Sequence, residues 1–167
     1  NPNSDFTNGS GDTVSSYERY PDVVAAITKK GDWGHASLRG VLRDISVENE
    51  TTGQDESEFG YGVTATAKLM VHDKNNLKLR ATYGDGIGRY IYDVATSGKA
   101  ASYNNGKLET NEAFSGYAAY QHHWTDTVRS NFMGGYTHMD NATDLIGTGQ
   151  NENIWSGHAN LIWQPAK

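Results

Sequence analysis

With 167 residues, a formal net charge of -6 and only 36% hydrophobic residues, the chain is long enough for one domain but lacks the dense Leu, Ile, Val and Phe content of a two-layer globule. The acidic balance argues against a nucleic-acid partner, and no apolar run approaches the roughly 18 residues of a membrane-spanning helix. Nineteen Gly and 10 Tyr, with 3 Pro, no Cys and a mean hydropathy of -0.69, suit a sheet with one thin apolar face and one wet face.

Residues 1–19 are rich in Asn, Ser, Gly and Asp, show no apolar period, and read as a polar loop. A first strand is expected over 22–30 and a second over 35–47, joined by the tight turn Gly31-Asp32-Trp33-Gly34-His35. In the second strand Ala36, Leu38, Gly40 and Leu42 oppose Ser37, Arg39, Val41 and Arg43, because strand side chains alternate across a sheet. Residues 48–58, which hold Glu48, Glu50, Asp55, Glu56 and Glu58, read as a long acidic linker. A third strand over 59–71 sets Tyr61, Val63, Ala65, Ala67 and Leu69 against Thr64, Thr66 and Lys68. The polar turn 72–76 leads to a fourth, in which Leu77, Leu79, Ala81 and Tyr83 oppose Lys78, Arg80 and Thr82.

A polar connection then runs to about residue 112. The fifth strand places Phe114, Gly116, Ala118, Tyr120 and His122 opposite Ser115, Tyr117, Ala119, Gln121 and His123. The sixth, over 128–137, opposes Ser130, Phe132, Gly134 and Tyr136 to Arg129, Asn131 and Met133. After a third polar linker over 138–153, a seventh strand over 155–163 opposes Trp155, Ala159, Leu161 and Trp163 to His158, Asn160 and Ile162.

Connections thus alternate short and long, with the long ones all at one end. Trp33, Trp124 and Trp163 gather at the short-turn end, and Tyr61, Tyr83, Tyr136 and Trp155 at the long-loop end. Short turns, long loops and two aromatic bands about eight residues apart mark a transmembrane β-barrel of antiparallel, up-and-down strands. The expected fold is therefore all-β. Residues 1–19 would be an extracellular loop of a larger barrel, and 20–167 a segment of about seven strands, incomplete at both ends because single-chain barrels use an even number. The start at Asn1 without a leader and the end at Gln164-Pro165-Ala166-Lys167 read as cuts.

Three blocks carry a family likeness. Asp22-Val23-Val24-Ala25-Ala26 leads into Gly31-Asp32-Trp33-Gly34-His35 and Leu38-Arg39-Gly40-Val41-Leu42-Arg43; then come Gly84-Asp85-Gly86-Ile87-Gly88-Arg89-Tyr90 and Tyr120-Gln121-His122-His123-Trp124-Thr125-Asp126 with Arg129-Ser130. In that order they resemble the trimeric DcaP-like porins of Gram-negative bacteria over roughly residues 20–167, in the C-terminal half of that family. The resemblance implies a homotrimeric channel of the bacterial outer membrane for small anionic solutes such as dicarboxylates. The chain departs from the family in lacking its N-terminal strands and a C-terminal strand with a terminal aromatic.

Arg39, Arg43, Lys68, Lys78, Arg80 and Arg129 fall on the strand face opposite the apolar one, so in a closed barrel they would line the lumen and favour anions. Exchange of Arg43 and Arg80 for Glu is then expected to move ion preference toward cations. Arg89, beside a glycine-rich bend, would reach the pore mouth; Gly84–Gly88 lacks the spacing and following helix of a nucleotide loop. His122 and His123 point to opposite faces, no other histidine pair has ligand spacing, and the acids of 48–58 do not follow a Ca²⁺ loop, so no metal or cofactor is expected. No catalytic constellation is legible, and the chain reads as a non-enzyme whose partners are the lipid bilayer and small anions. The competing reading is a soluble or filament-forming all-β protein that assembles through exposed sheet edges.

Overall fold

The computed structural model describes residues 5–17, 19–91 and 99–165. Period-two alternation drives one antiparallel sheet from β2 (Val14–Tyr17), β3 (Val23–Gly31), β4 (Gly34–Asn49), β5 (Gln54–His72), β6 (Asn75–Asp85), β9 (Glu112–His123), β10 (Val128–Asp140) and β11 (Asn153–Trp163). The order across the sheet is β11-β10-β9-β6-β5-β4-β2, with β3 also paired to β4. Because β5 takes one edge of β4 along its whole length, β2 and β3 must share the other, β3 against residues 34–42 and β2 against 46–49. They act as one interrupted strand, and the eight strands fill seven lateral positions, as the alternation predicts. The interruption carries Pro21, which has no N–H to give to a ladder.

Three segments differ from expectation. The acidic linker 48–58 is mostly strand: β4 and β5 pair up to Asn49↔Gln54, with Glu48 opposite Asp55 and Val47 opposite Glu56. The tall hairpin holds because Ile45 and Val47 are buried beneath it, and that burial outweighs the low strand preference of the acids. The expected loop over 1–19 is in part strand, since its described residues supply β2 and β1 (Phe6–Asn8). The connection after β6 contains a 3-10 turn, Gly88–Tyr90, then β7 (Ala101–Asn104) and β8 (Lys107–Thr110), which form a second, three-stranded sheet in the order β1-β7-β8. A one-turn helix, α1 (Thr143–Ile146), packs beside β7.

The interior sits at the long-loop end. Phe6, Ile45, Val47, Ala100, Ala101, Tyr103 and Leu108 bury one another between the small sheet and the top of the tall hairpin. Ile87, Ile91, Ala113 and Met139 make a second cluster where the connection after β6 folds onto the main sheet. Lower on the sheet, the large apolar residues Ile27, Leu38, Phe132 and Leu161 remain exposed. The sheet is not closed, with β2 and β3 at one edge and β11 at the other.

Candidate functional site

Register sorts the side chains, since directly paired residues share a face. One face carries Val23, Leu38, Leu42, Val63, Leu79, Phe132 and Leu161, all exposed, so among the described residues no second layer covers it. Tyr136 stacks on its partner Trp155 with ring centroids 4.3 Å apart at the long-loop end, and Trp163 closes the same face at the other. From Trp155 to Trp163 the strand rises about 27 Å, which a tilt near 40° brings close to the height of a barrel's apolar band.

The opposite face is polar and cationic. Lys30↔His35, His35↔Lys68 and Lys68↔Lys78 are successive register pairs, so basic side chains stand side by side across β3, β4, β5 and β6. Higher on this face Arg39 lies opposite Thr64, and Thr64 bonds Thr82 hydroxyl to hydroxyl at 3.0 Å. Arg80 pairs with Thr66 and Tyr117. Arg39, Arg80, Thr64, Thr66, Tyr117, Ile87 and Tyr90 line a cleft of about 280 Å³. The acids of this face, Glu56 and Glu58, lie far up β5 opposite Val47 and Ile45.

Above the cleft the connection after β6 is locked down by charge. Arg43, 4% exposed, donates to Asp5 Oδ2 at 2.6 Å and to the Gly86 carbonyl at 3.0 Å, and its Nε lies 3.7 Å from Asp22 Oδ1. Arg89 reaches the same two carboxylates, pairing with Asp5 and standing 3.6 Å from Asp22. Tyr90 donates its hydroxyl to Asp22 at 2.5 Å, and Arg80 donates to the Tyr90 carbonyl at 2.8 Å. Burial, reinforced by the bond to Asp22, pushes the Tyr90 phenol above its ordinary pKa. Glycines permit the close approach: a Cβ on Gly62 would stand 2.7 Å from Ile87 Cγ2, and Gly86 turns the chain at a φ of +69°.

The sequence-predicted residues therefore divide. Arg39 and Lys78 are exposed on the polar face, Lys68 is half-buried there, and among the described residues none of them forms an ion pair. Arg129 shares that face and donates to Gln164 at 3.3 Å. Arg80 both lines the cleft and holds the loop. Arg43 lies on the expected face but is buried in a salt-bridged latch, which makes it unsuitable as the selectivity probe that alternation alone suggests. Arg89 sits in the same latch. Asp5, Asp22 and Tyr90 were invisible as site residues, because Asp5 lies in a segment without periodicity and no spacing links it to Arg43. Lys30 and His35 had the right strand parity and were recoverable by pairing the first hairpin. Among the described residues no three His, Asp or Glu side chains gather as a metal site.

An antiparallel sheet with one uncovered apolar face bounded by aromatics, and one cationic face onto which a loop folds, has the architecture of a porin-type barrel wall. The chain superposes on a solved structure, the outer membrane channel DcaP of Acinetobacter baumannii, with a TM-score of 0.79 and 22% identity over 97% of this chain. It spans 46% of that channel's chain. That likeness establishes the fold. No protein-family model and no curated protein matches the chain.

Proposed function

We propose that the chain is part of the wall of a DcaP-like outer-membrane porin that passes small anions, dicarboxylates among them, by passive diffusion and without catalysis. The observation that carries this is the register: at the level where one face is apolar, the other presents Lys30, His35, Arg39, Lys68, Lys78 and Arg80 with no acid beside them among the described residues. Such a wall satisfies a bilayer on one side and attracts anions on the other. On this reading the lipid bilayer of a bacterial outer membrane is the partner of the apolar face, and the family resemblance adds assembly as a trimer. A soluble sheet joined edge to edge fits less well, since it would leave Val23, Ile27, Leu38, Leu79 and Phe132 in water.

The test is reversal potential in planar bilayers with the protein carrying Arg39→Glu and Lys68→Glu. Both cations lie outside the latch, so their exchange leaves the loop in place. Ion preference should shift toward cations; an unchanged preference refutes the proposal.

A further inference from the structure

Toward the short turns, the polar face carries a second cleft that the cationic row does not explain. Asn76 donates its amide to Gln121 at 2.9 Å, Gln121 to Asn131 at 2.8 Å, and Asn131 to Asn160 at 2.8 Å. These residues are register partners on β6, β9, β10 and β11, so four amides form one hydrogen-bonded ladder across the sheet. One row up stand Lys78 and His158, separated by Ala119 and Met133; one row down stands Arg129 beside His123. The four amides line a cleft of about 350 Å³ with Lys78, His158 and Arg129.

The hydrogen-bond inventory decides what fits there. After its ladder bonds, each inner amide, Gln121 and Asn131, still has one N–H and one carbonyl lone pair to offer. A carboxylate only accepts, so it would satisfy Lys78, Arg129 and the spare N–H groups but would set its lone pairs against the amide carbonyls. A hydroxyl both donates and accepts, and alternate hydroxyls along an extended chain can reach successive amides about 4.8 Å apart across the strands. We infer that this cleft is a binding station for polyhydroxylated monocarboxylates, of the sugar-acid type, with the carboxylate on Arg129 or Lys78 and the hydroxyls along Gln121 and Asn131. The inference rests on the reading that the polar face lines the solute path, and it adds hydroxylated acids to the anions which that path admits.

The test compares gluconate with hexanoate, which share chain length and charge and differ in hydroxyls, by titration calorimetry on the protein in detergent micelles. Gluconate should bind about tenfold more tightly, the worth of one or two net hydrogen bonds. Gln121→Leu with Asn131→Leu should abolish the preference, since neither ligand then meets an inner amide. The comparison on the unaltered protein stands whether or not that variant folds. Equal affinities, or heat from neither ligand, would overturn the inference. Potassium chloride conductance, measured separately, judges the channel reading: absent conductance with a retained gluconate preference strikes the pore and spares the station.

Discussion

Replacing Asp5 with alanine should release the loop that covers the cleft. Asp5 is buried and takes bonds from two guanidinium groups, and the side chains of Arg43 and Asp5 are only 2% and 8% exposed. Removing one member of a buried ion pair strands the other and costs about 3–5 kcal/mol. Arg43 would still have Asp22 at 3.7 Å and the Gly86 carbonyl, so the lower figure applies. At about 3 kcal/mol the docked-to-undocked ratio falls roughly a hundredfold. Amide hydrogen exchange read by mass spectrometry reports this directly: Gly86, whose N–H bonds the Asn111 carbonyl at 3.2 Å, and Ile91, bonded to Gly88 at 3.1 Å, should lose that factor of protection. Amides of the β9–β10 ladder should not change. A loss below about fivefold at Gly86 and Ile91 would refute the idea that the carboxylate holds the loop. The double variant Asp5→Leu with Arg43→Met, which replaces the pair by apolar groups, should recover part of the protection.

Two further outcomes follow from the same geometry. Leu79 lies on the apolar face midway between the aromatic bands, paired with Ala67 and Ala118, and Leu79→Lys should destabilise the protein in lipid vesicles by about 2–4 kcal/mol in urea titrations. Thr66→Lys, on the polar face one residue from Ala67, should cost far less, and equal costs would show that the faces are misassigned. The Tyr90 phenol, raised by burial and by Asp22, should ionise above the usual value of about 10 when followed by carbon-13 NMR of labelled tyrosine. Since the folded form holds the proton more tightly, this contribution to docking is complete below about pH 10 and is lost as pH rises beyond it. Asp22→Asn should lower the midpoint; a midpoint at or below the ordinary value in the parent protein would show that the phenol is not held as described.

The strand plan was legible because its signal is local. A period of two needs only neighbouring residues, and pairs such as Leu79 and Arg80 announce their faces without any knowledge of the partner strand. The parts that were not legible depend on contacts distant in sequence. Glu48, Asp55 and Glu56 look like a solvated linker until Ile45 and Val47 are seen buried under Phe6 and Tyr103, which arrive from distant parts of the chain on either side of them. Arg43 has the same parity as Arg39, and nothing along β4 separates a buried latch residue from an exposed one. Asp5, 38 residues away, makes the difference. Pairing the strands would also have added Lys30 and His35 to the polar row beside Lys68, because Lys30 stands opposite His35 and His35 opposite Lys68.

The latch and the cationic row divide the charge along the strands. Glu58 and Lys68 share the polar face of β5 ten residues apart, which is about 33 Å of strand and some four screening lengths at physiological salt. On the proposed channel reading, the acids at the long-loop end would therefore act on a solute at its approach and hardly at all on one beside Lys68. Between them, Asp5 and Asp22 are matched by Arg43 and Arg89, so the latch is close to neutral and its closure is a matter of width more than of field. If the polar face lines a solute path, as proposed, selectivity belongs to the lower cations and passage to the upper loop. On that proposal the two can be altered independently: exchanging Arg39 or Lys68 should change the sign that is admitted, whereas releasing Asp5 should change the room available and leave the lower row of lysines as it was.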